Sequence, residues 1–145
     1  MSGIASRIAP TGAAGTREWR AHRRRADRRS HVRARPGDRL CAYHAHHANE
    51  EWLVVLRGRP TLRTLEGEQE LADGDVVCFR RGKGGAHQVQ NATESPIRVL
   101  MLSTLIQPDV VEYLNSGKVG ARSADGKPLF LSRPGLLLDL WDGET

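Results

Sequence analysis

The stretch Tyr43-His44-Ala45-His46-His47-Ala48-Asn49-Glu50-Glu51 gathers imidazole and carboxylate groups at spacings suited to metal chemistry. On an extended strand, residues two apart project to the same face. His44 and His46 therefore present two imidazoles together, while Ala45 and His47 turn to the other side. A carboxylate a few residues on, at Glu50 or Glu51, can join them across a short turn. A histidine distant in sequence, His87, can complete the set from a neighbouring strand. Mixed imidazole and carboxylate donors suit one divalent transition metal ion (Fe, Mn, Ni or Zn), whereas a Ca or Mg site would be built almost wholly from oxygens. Four protein donors on a six-coordinate ion leave two positions open, which a catalytic metal requires and a structural one does not.

Such a set needs a scaffold of short paired strands, and the chain from Arg39 onward has that pattern. Apolar or alternating runs at Leu40 to His46, Trp52 to Leu56, Thr61 to Leu65, Val76 to Phe79, His87 to Gln90 and Ile97 to Leu102 are separated by turn-forming segments such as Arg57-Gly58-Arg59-Pro60, Glu66-Gly67-Glu68 and Asp73-Gly74-Asp75. Between the runs no 12-residue stretch keeps a helical period. Strands joined by such short connections pair with their neighbours, which predicts an all-β antiparallel sandwich or closed barrel. Residues 37–106 form this expected core. Residues 107–145 read as a short helical or irregular C-terminal extension. Within it, Pro108 to Leu114 could make a helical turn or two, and Leu129 to Leu131 and Leu136 to Leu140 read as extended. The apolar cluster Leu136, Leu137, Leu138, Leu140 and Trp141 should pack on the barrel or on a partner subunit.

The 145 residues fit one domain. A 39% hydrophobic and 27% charged composition is that of a globular chain. The net charge of +5 is uneven: the first 39 residues carry 11 Arg against three acids, for a net of +8, and the remainder is net −3. Residues 1–36 read as a basic, flexible arm that Trp19 could anchor. The one weak candidate for a strand ahead of Gly37 is Ser30 to Ala34, so either that segment serves poorly as the first strand or the first sheet edge is incomplete, and an incomplete edge would be protected by dimerisation or left prone to aggregation; a homodimer is expected. The arm could neutralise several phosphates, but it has no recognition helix paired with a scaffold helix, so nucleic acid is not the expected partner. Cys41 and Cys78 lack CxxC spacing and read as two buried thiols in a reducing compartment. No apolar run is long enough for a membrane span, and the expected location is cytoplasmic.

The motifs, taken in order, resemble those of the cupins. Gly37 leads to the His44 and His46 pair, Glu51 follows after four residues and Gly58 after six more. The second motif is matched by Gly74, Gly82, His87 and Asn91, with Arg80 where the family has proline and two extra residues between Gly82 and His87. The resemblance covers roughly Gly37 to Leu102. It implies a small cupin-type β-barrel or jelly roll in which His44, His46, Glu51 and His87 hold one metal. The six-residue interval to Gly58 favours Glu51 over Glu50. Gly82, Gly84 and Gly85 with Lys83 look like a phosphate cradle, yet no helix follows to supply amide donors, and a plain loop is the better reading.

Two classes of function follow. One is a metal-dependent enzyme acting on a small molecule, with oxidative cleavage, isomerisation and lyase chemistry all open. The other is a non-catalytic module that binds or senses a small ligand. No catalytic acid or base is assigned: Tyr43 and His47 turn away, and Glu50 would serve only if its loop curls over the ion.

Overall fold

A computed structural model describes residues 6–7, 29–135, 138–139 and 142–143. Trp19 and the apolar residues Leu136, Leu137, Leu140 and Trp141 lie outside the described residues.

The strands, in chain order, are β1 (Ser6–Arg7), β2 (Arg29–Ala34), β3 (His44–His46), β4 (Glu51–Arg57), β5 (Thr61–Thr64), β6 (Gly67–Glu70) and β7 (Asp75–Phe79). A 3-10 turn at Lys83–Gly85 precedes β8 (Gln88–Gln90), β9 (Ile97–Ser103), β10 (Asp109–Tyr113), β11 (Lys118–Arg122) and β12 (Pro128–Ser132). They form a five-stranded sheet in the order β1-β7-β4-β9-β2, a four-stranded sheet β12-β11-β10-β3 and a three-stranded sheet β6-β5-β8. Every strand pair is antiparallel. Isolated bridges tie His44 of β3 to His87, just before β8, and Arg39, in the segment leading to β3, to Gln90 of β8.

The core lies between the five-stranded and three-stranded sheets. Along β4 the side chains alternate, so Leu53 and Val55 are buried while Trp52, 43% exposed, points outward. Leu53, Val55, Val77, Phe79, Ile97 and Val99 from the large sheet meet Leu62 and Val89 from the small one. Glu51 shares the inward face of β4 and pairs in register with Phe79, which sets its carboxylate at the end of the apolar core. Gly58 ends β4 with φ +94, and a Cβ there would lie 2.8 Å from Ile97 Cγ2, so the turn requires glycine on both counts.

The structure corrects four sequence expectations. The strands make open sheets joined by bridges, not one closed barrel: β2, β6 and β12 remain edges among the described residues. The expected C-terminal helical or irregular extension is instead a run of strands. Val110, Val111 and Tyr113 favour extended backbone, and the free edge of β3 supplies the hydrogen-bond partners that an isolated helical turn would lack. The edge thought incomplete is filled, because β2 pairs with β9 from Arg29–Leu102 to Ala34–Ile97. Its backbone is tied further by Asn91, a buried motif residue that donates to the carbonyls of Ala34 and Ser95. Finally, the thiols are not both buried: Cys78 alternates with Val77 and Phe79 on β7 and faces solvent, and Cys41 is half-buried.

Candidate metal centre

The strand β3 is held from both sides. Its backbone pairs with β10, Tyr113 opposite His44 and Val111 opposite His46. On the other side the His44 and His87 amides exchange hydrogen bonds with each other's carbonyls, at 3.1 and 2.9 Å. The pleat sends His44 and His46 to one face and Ala45 to the other, where Ala45 packs with Tyr43 and Ala86. His47 turns outward as its spacing predicts, and its Nε2 lies 2.6 Å from Glu112 Oε1.

The three remaining imidazoles converge on one oxygen. Nε2 of His44, His46 and His87 lies 3.6, 3.7 and 3.3 Å from Glu51 Oε2. Their orientation is set from behind. His44 Nδ1 donates to the Ala42 carbonyl at 2.7 Å, and His87 Nδ1 donates to the Gly85 carbonyl at 2.9 Å. His46 Nδ1 meets Asp109 Oδ2 at 2.5 Å, and Asp109 Oδ1 accepts the Ala48 amide. A carbonyl can only accept, so it fixes the proton on Nδ1 and leaves the Nε2 lone pair free in the neutral ring. The rings are also packed in place: His87 stacks on Phe79 with centroids 3.6 Å apart and planes within 7°, and Tyr113 lies alongside His44.

The longer loop before His87 has a definite structure. The additional residues fold into the 3-10 turn, whose Gly85 provides the carbonyl that orients His87. A Cβ on Gly85 would lie 1.7 Å from the Arg80 carbonyl oxygen, so no other residue fits this backbone path. The Gly82 amide donates to the His46 carbonyl at 2.7 Å, which anchors the turn to β3.

The charges respond to this convergence. Burial works against the Glu51 carboxylate, but His44 and His87, then His46, outweigh it and hold the group well below the usual carboxylate range. Burial likewise opposes a charge on His44, yet its contacts with Cys41 and Glu51 push it from 6.5 up to about 10. His87 is shifted down, chiefly by its burial. Asp109 is held down by His46 and the Ala48 amide despite its own burial.

Whether a cation fits is decided by His87. The residue is 1% exposed, and its Nε2 has no hydrogen-bond partner. The nearby Glu51 oxygen is itself an acceptor and cannot satisfy a lone pair. Leaving such an atom buried and unpaired costs about 1–3 kcal/mol. A cation accepted by His44, His46, Glu51 and His87 would relieve that cost, and the donor set is one that transition metals favour. The four residues expected as ligands are thus brought together, whereas Glu50 and His47 stand apart from them. Sequence reasoning missed Asp109, Phe79 as a ring support and Cys41 as a neighbour of His44 and His87. Only Cys41 had any local signal, its position three residues before His44.

Beside this cluster an open groove of about 350 Å³ is lined by Lys83, Glu112, Tyr113, Leu114, Lys118 and Val119, among others. Tyr113 belongs to both, lining the groove and flanking His44. No helix among the described residues is long and apolar enough to cross a membrane.

Comparison with known proteins adds four findings. The family described as "Cupin domain" matches residues 30–103. A sugar phosphate isomerase of a cupin superfamily from Silicibacter pomeroyi is similar at 26% identity, with 77% of this chain and 71% of that one covered and a TM-score of 0.68. A protein from Acidithiobacillus ferrooxidans, provisionally described as a sugar phosphate isomerase, is similar at 28% identity with the same coverage and TM-score. No curated protein matches.

Proposed function

The chain belongs to the cupin family, and we propose that it is a metal-dependent enzyme in which His44, His46, Glu51 and His87 hold one divalent transition metal ion against a small substrate. The observation that carries this reading is the meeting of three Nε2 atoms within 3.3–3.7 Å of Glu51 Oε2, one of them buried without a partner.

The reaction class we propose is isomerisation of a phosphorylated sugar. It is supported by the two similar solved structures and by the groove beside Tyr113, where Lys118, over the Tyr113 ring, offers positive charge to an anionic group while Lys83 is paired with Glu112. When bound, the ion supplies Lewis acidity, polarising a substrate carbonyl or hydroxyl. The chain's own residues supply position. Asp109 fixes the His46 ring, Gly85 and Phe79 fix His87, and Ala42 fixes His44. The ligand array is thereby preorganised, as binding without reorganisation requires. A homodimer is proposed as well, supported by the exposed apolar residues of β12.

The test is elemental analysis of untagged protein beside His87→Ala, with proton exchange of aldose and ketose phosphates in deuterated water followed by NMR. Near one equivalent of metal in the parent, sharply reduced in the variant, and metal-dependent deuterium uptake at the carbon next to the carbonyl are expected. Failure to bind metal after anaerobic reconstitution would overturn the reading in favour of a metal-free binding module. Metal without exchange would remove the isomerase assignment alone.

A further inference from the structure

We infer that Glu112 is a positioning residue for the metal centre: by gripping His47 and Lys83 at once, it fixes the spacing between the end of β3 and the loop that carries His87. The inference rests on the metal-centre reading and adds to it a residue that faces away from the four ligands.

Along β10 the side chains alternate. Val111 and Tyr113 lie opposite His46 and His44 on the cluster's face, whereas Glu112 lies opposite Ala45 on the other one. From there its carboxylate forks. Oε1 accepts from His47 Nε2 at 2.6 Å, and Oε2 accepts from Lys83 Nζ at 3.0 Å. The first arm reaches the residue that follows His46, whose amide is also tied to the Val110 carbonyl at 2.9 Å. The second reaches the 3-10 turn in which the Gly85 carbonyl orients His87. One carboxylate thus joins the segments that deliver two of the ligands. It is held below the usual carboxylate range, by Lys83 first and by His47 after it.

An exposed ion pair ordinarily adds little to stability, because water screens it and two long side chains must be ordered. The loop makes this one different. Gly82-Lys83-Gly84-Gly85 contains three glycines, whose backbone has the most freedom to lose on ordering. Backbone bonds fix the ends of the turn, from Gly82 to the His46 carbonyl and between His87 and His44. Between those ends, Lys83 is the one residue with a side chain long enough to tie the turn down. The His87 ring takes its orientation from the Gly85 carbonyl, so slack in the turn is slack in a ligand.

Zinc affinity tests the role. Metal-free full-length protein would be titrated with Zn(II) against a chromophoric chelator, as the parent, K83M, K83R, E112Q and the double variant K83M/E112Q. K83M and E112Q should each weaken binding about fivefold, the scale of an exposed charged pair. The double variant should bind no more weakly than E112Q alone, because the two residues act through one contact. K83R should restore most of the parent's affinity, since it keeps the cation that K83M removes, and a loss of packing alone would show no such rescue. The Lys83 side chain is 67% exposed, so its variants decide the matter even if E112Q does not fold. Parental affinity in K83M, or a double variant that shows the product of the two single losses, would overturn the positioning role and leave the four-residue centre standing. A parent that takes up neither Zn(II) nor anaerobically supplied Fe(II) would overturn both.

Discussion

The strand β10 has the metal cluster on one side and the C-terminal hairpin on the other, and the two regions are ordered by different means. Toward β3, side chains do the work: Asp109 grips His46, Tyr113 flanks His44, and each ring has a fixed partner behind it. Toward β11 and β12, backbone ladders hold the strands, with one register shift between Ala121 and Arg122, and all five residues of β12 are exposed, Leu129, Phe130 and Leu131 each by more than half. A region built from converging side chains should fail at single atoms. One built from backbone pairing should tolerate substitution at nearly every side chain.

Glycine exchange gives the largest expected contrast. Gly85→Ala would place a Cβ against the Arg80 carbonyl and displace the carbonyl that orients His87. A loss of about 3 kcal/mol is expected, at the upper end of the usual overpacking cost. Gly126→Ala in the hairpin has a positive φ but nothing within 4 Å, and should cost only about 1 kcal/mol. Urea unfolding measures both, and equal losses would erase the distinction between the regions.

Next is the metal affinity. Asp109→Ala removes the acceptor behind His46 and leaves the Ala48 amide unpaired. Loss of such an outer partner should weaken metal binding by about 10–100-fold, with Asp109→Asn less affected because an amide oxygen remains. Asp125→Ala removes an exposed carboxylate paired with Lys127 in the hairpin and should leave affinity unchanged. Competition with a chromophoric chelator reads all three, and unchanged binding in Asp109→Ala would show that β10 does not support the centre.

A third contrast is in pH, using protein stripped with chelator. His44 has a folded value raised from 6.5 to about 10, so its contribution is fully present below pH 6.5 and is lost as pH rises toward 10. Glu51 and Asp109 are shifted down, so theirs are present above their unfolded values and are lost as pH falls through the folded ones. His87 is shifted down by its burial, so its neutral form favours folding above pH 6.5 and that contribution is lost as pH falls below it. Thermal melts should therefore decline on both sides of a maximum near pH 6.5. Melting temperatures that stay flat from pH 6.5 to 10 would show that His44 carries no proton in the metal-free cluster.

The contrast also explains what could be read from the sequence. Period-two spacing is enough to place His44 and His46 on one face. The interval from Glu51 to Gly58 is a local property of β4 and its turn, and the runs that became β4, β5, β7 and β9 alternate or are continuously apolar. Asp109 carries no such mark: it is 63 residues from His46, and a single carboxylate has no periodicity. The segment around it suits a helix or a strand by composition, and the free edge of β3 decides between them. β6 was read as part of a turn because Gly67–Glu70 is exposed throughout and shows no alternation. Cys41 reads from the sequence as a buried thiol, because an isolated cysteine does not show that the fold sets the His44 and His87 imidazoles beside it.

The smallest effect on the protomer should come from β12, and it also tests the proposed dimer. Leu131 is 58% exposed, and Leu131→Glu should change protomer stability by no more than about 0.5 kcal/mol. Yet Leu129, Phe130 and Leu131 leave both faces of an edge strand apolar and exposed, a surface that natural sheets protect or pair. If a second copy covers it, a charge there converts a dimer to a monomer with no change in metal content. Light scattering after size exclusion at micromolar concentration should show a dimer for the parent and a monomer for Leu131→Glu. A monomeric parent would mean that the edge is tolerated bare, and the hairpin would then differ from the metal centre in having no contact to satisfy.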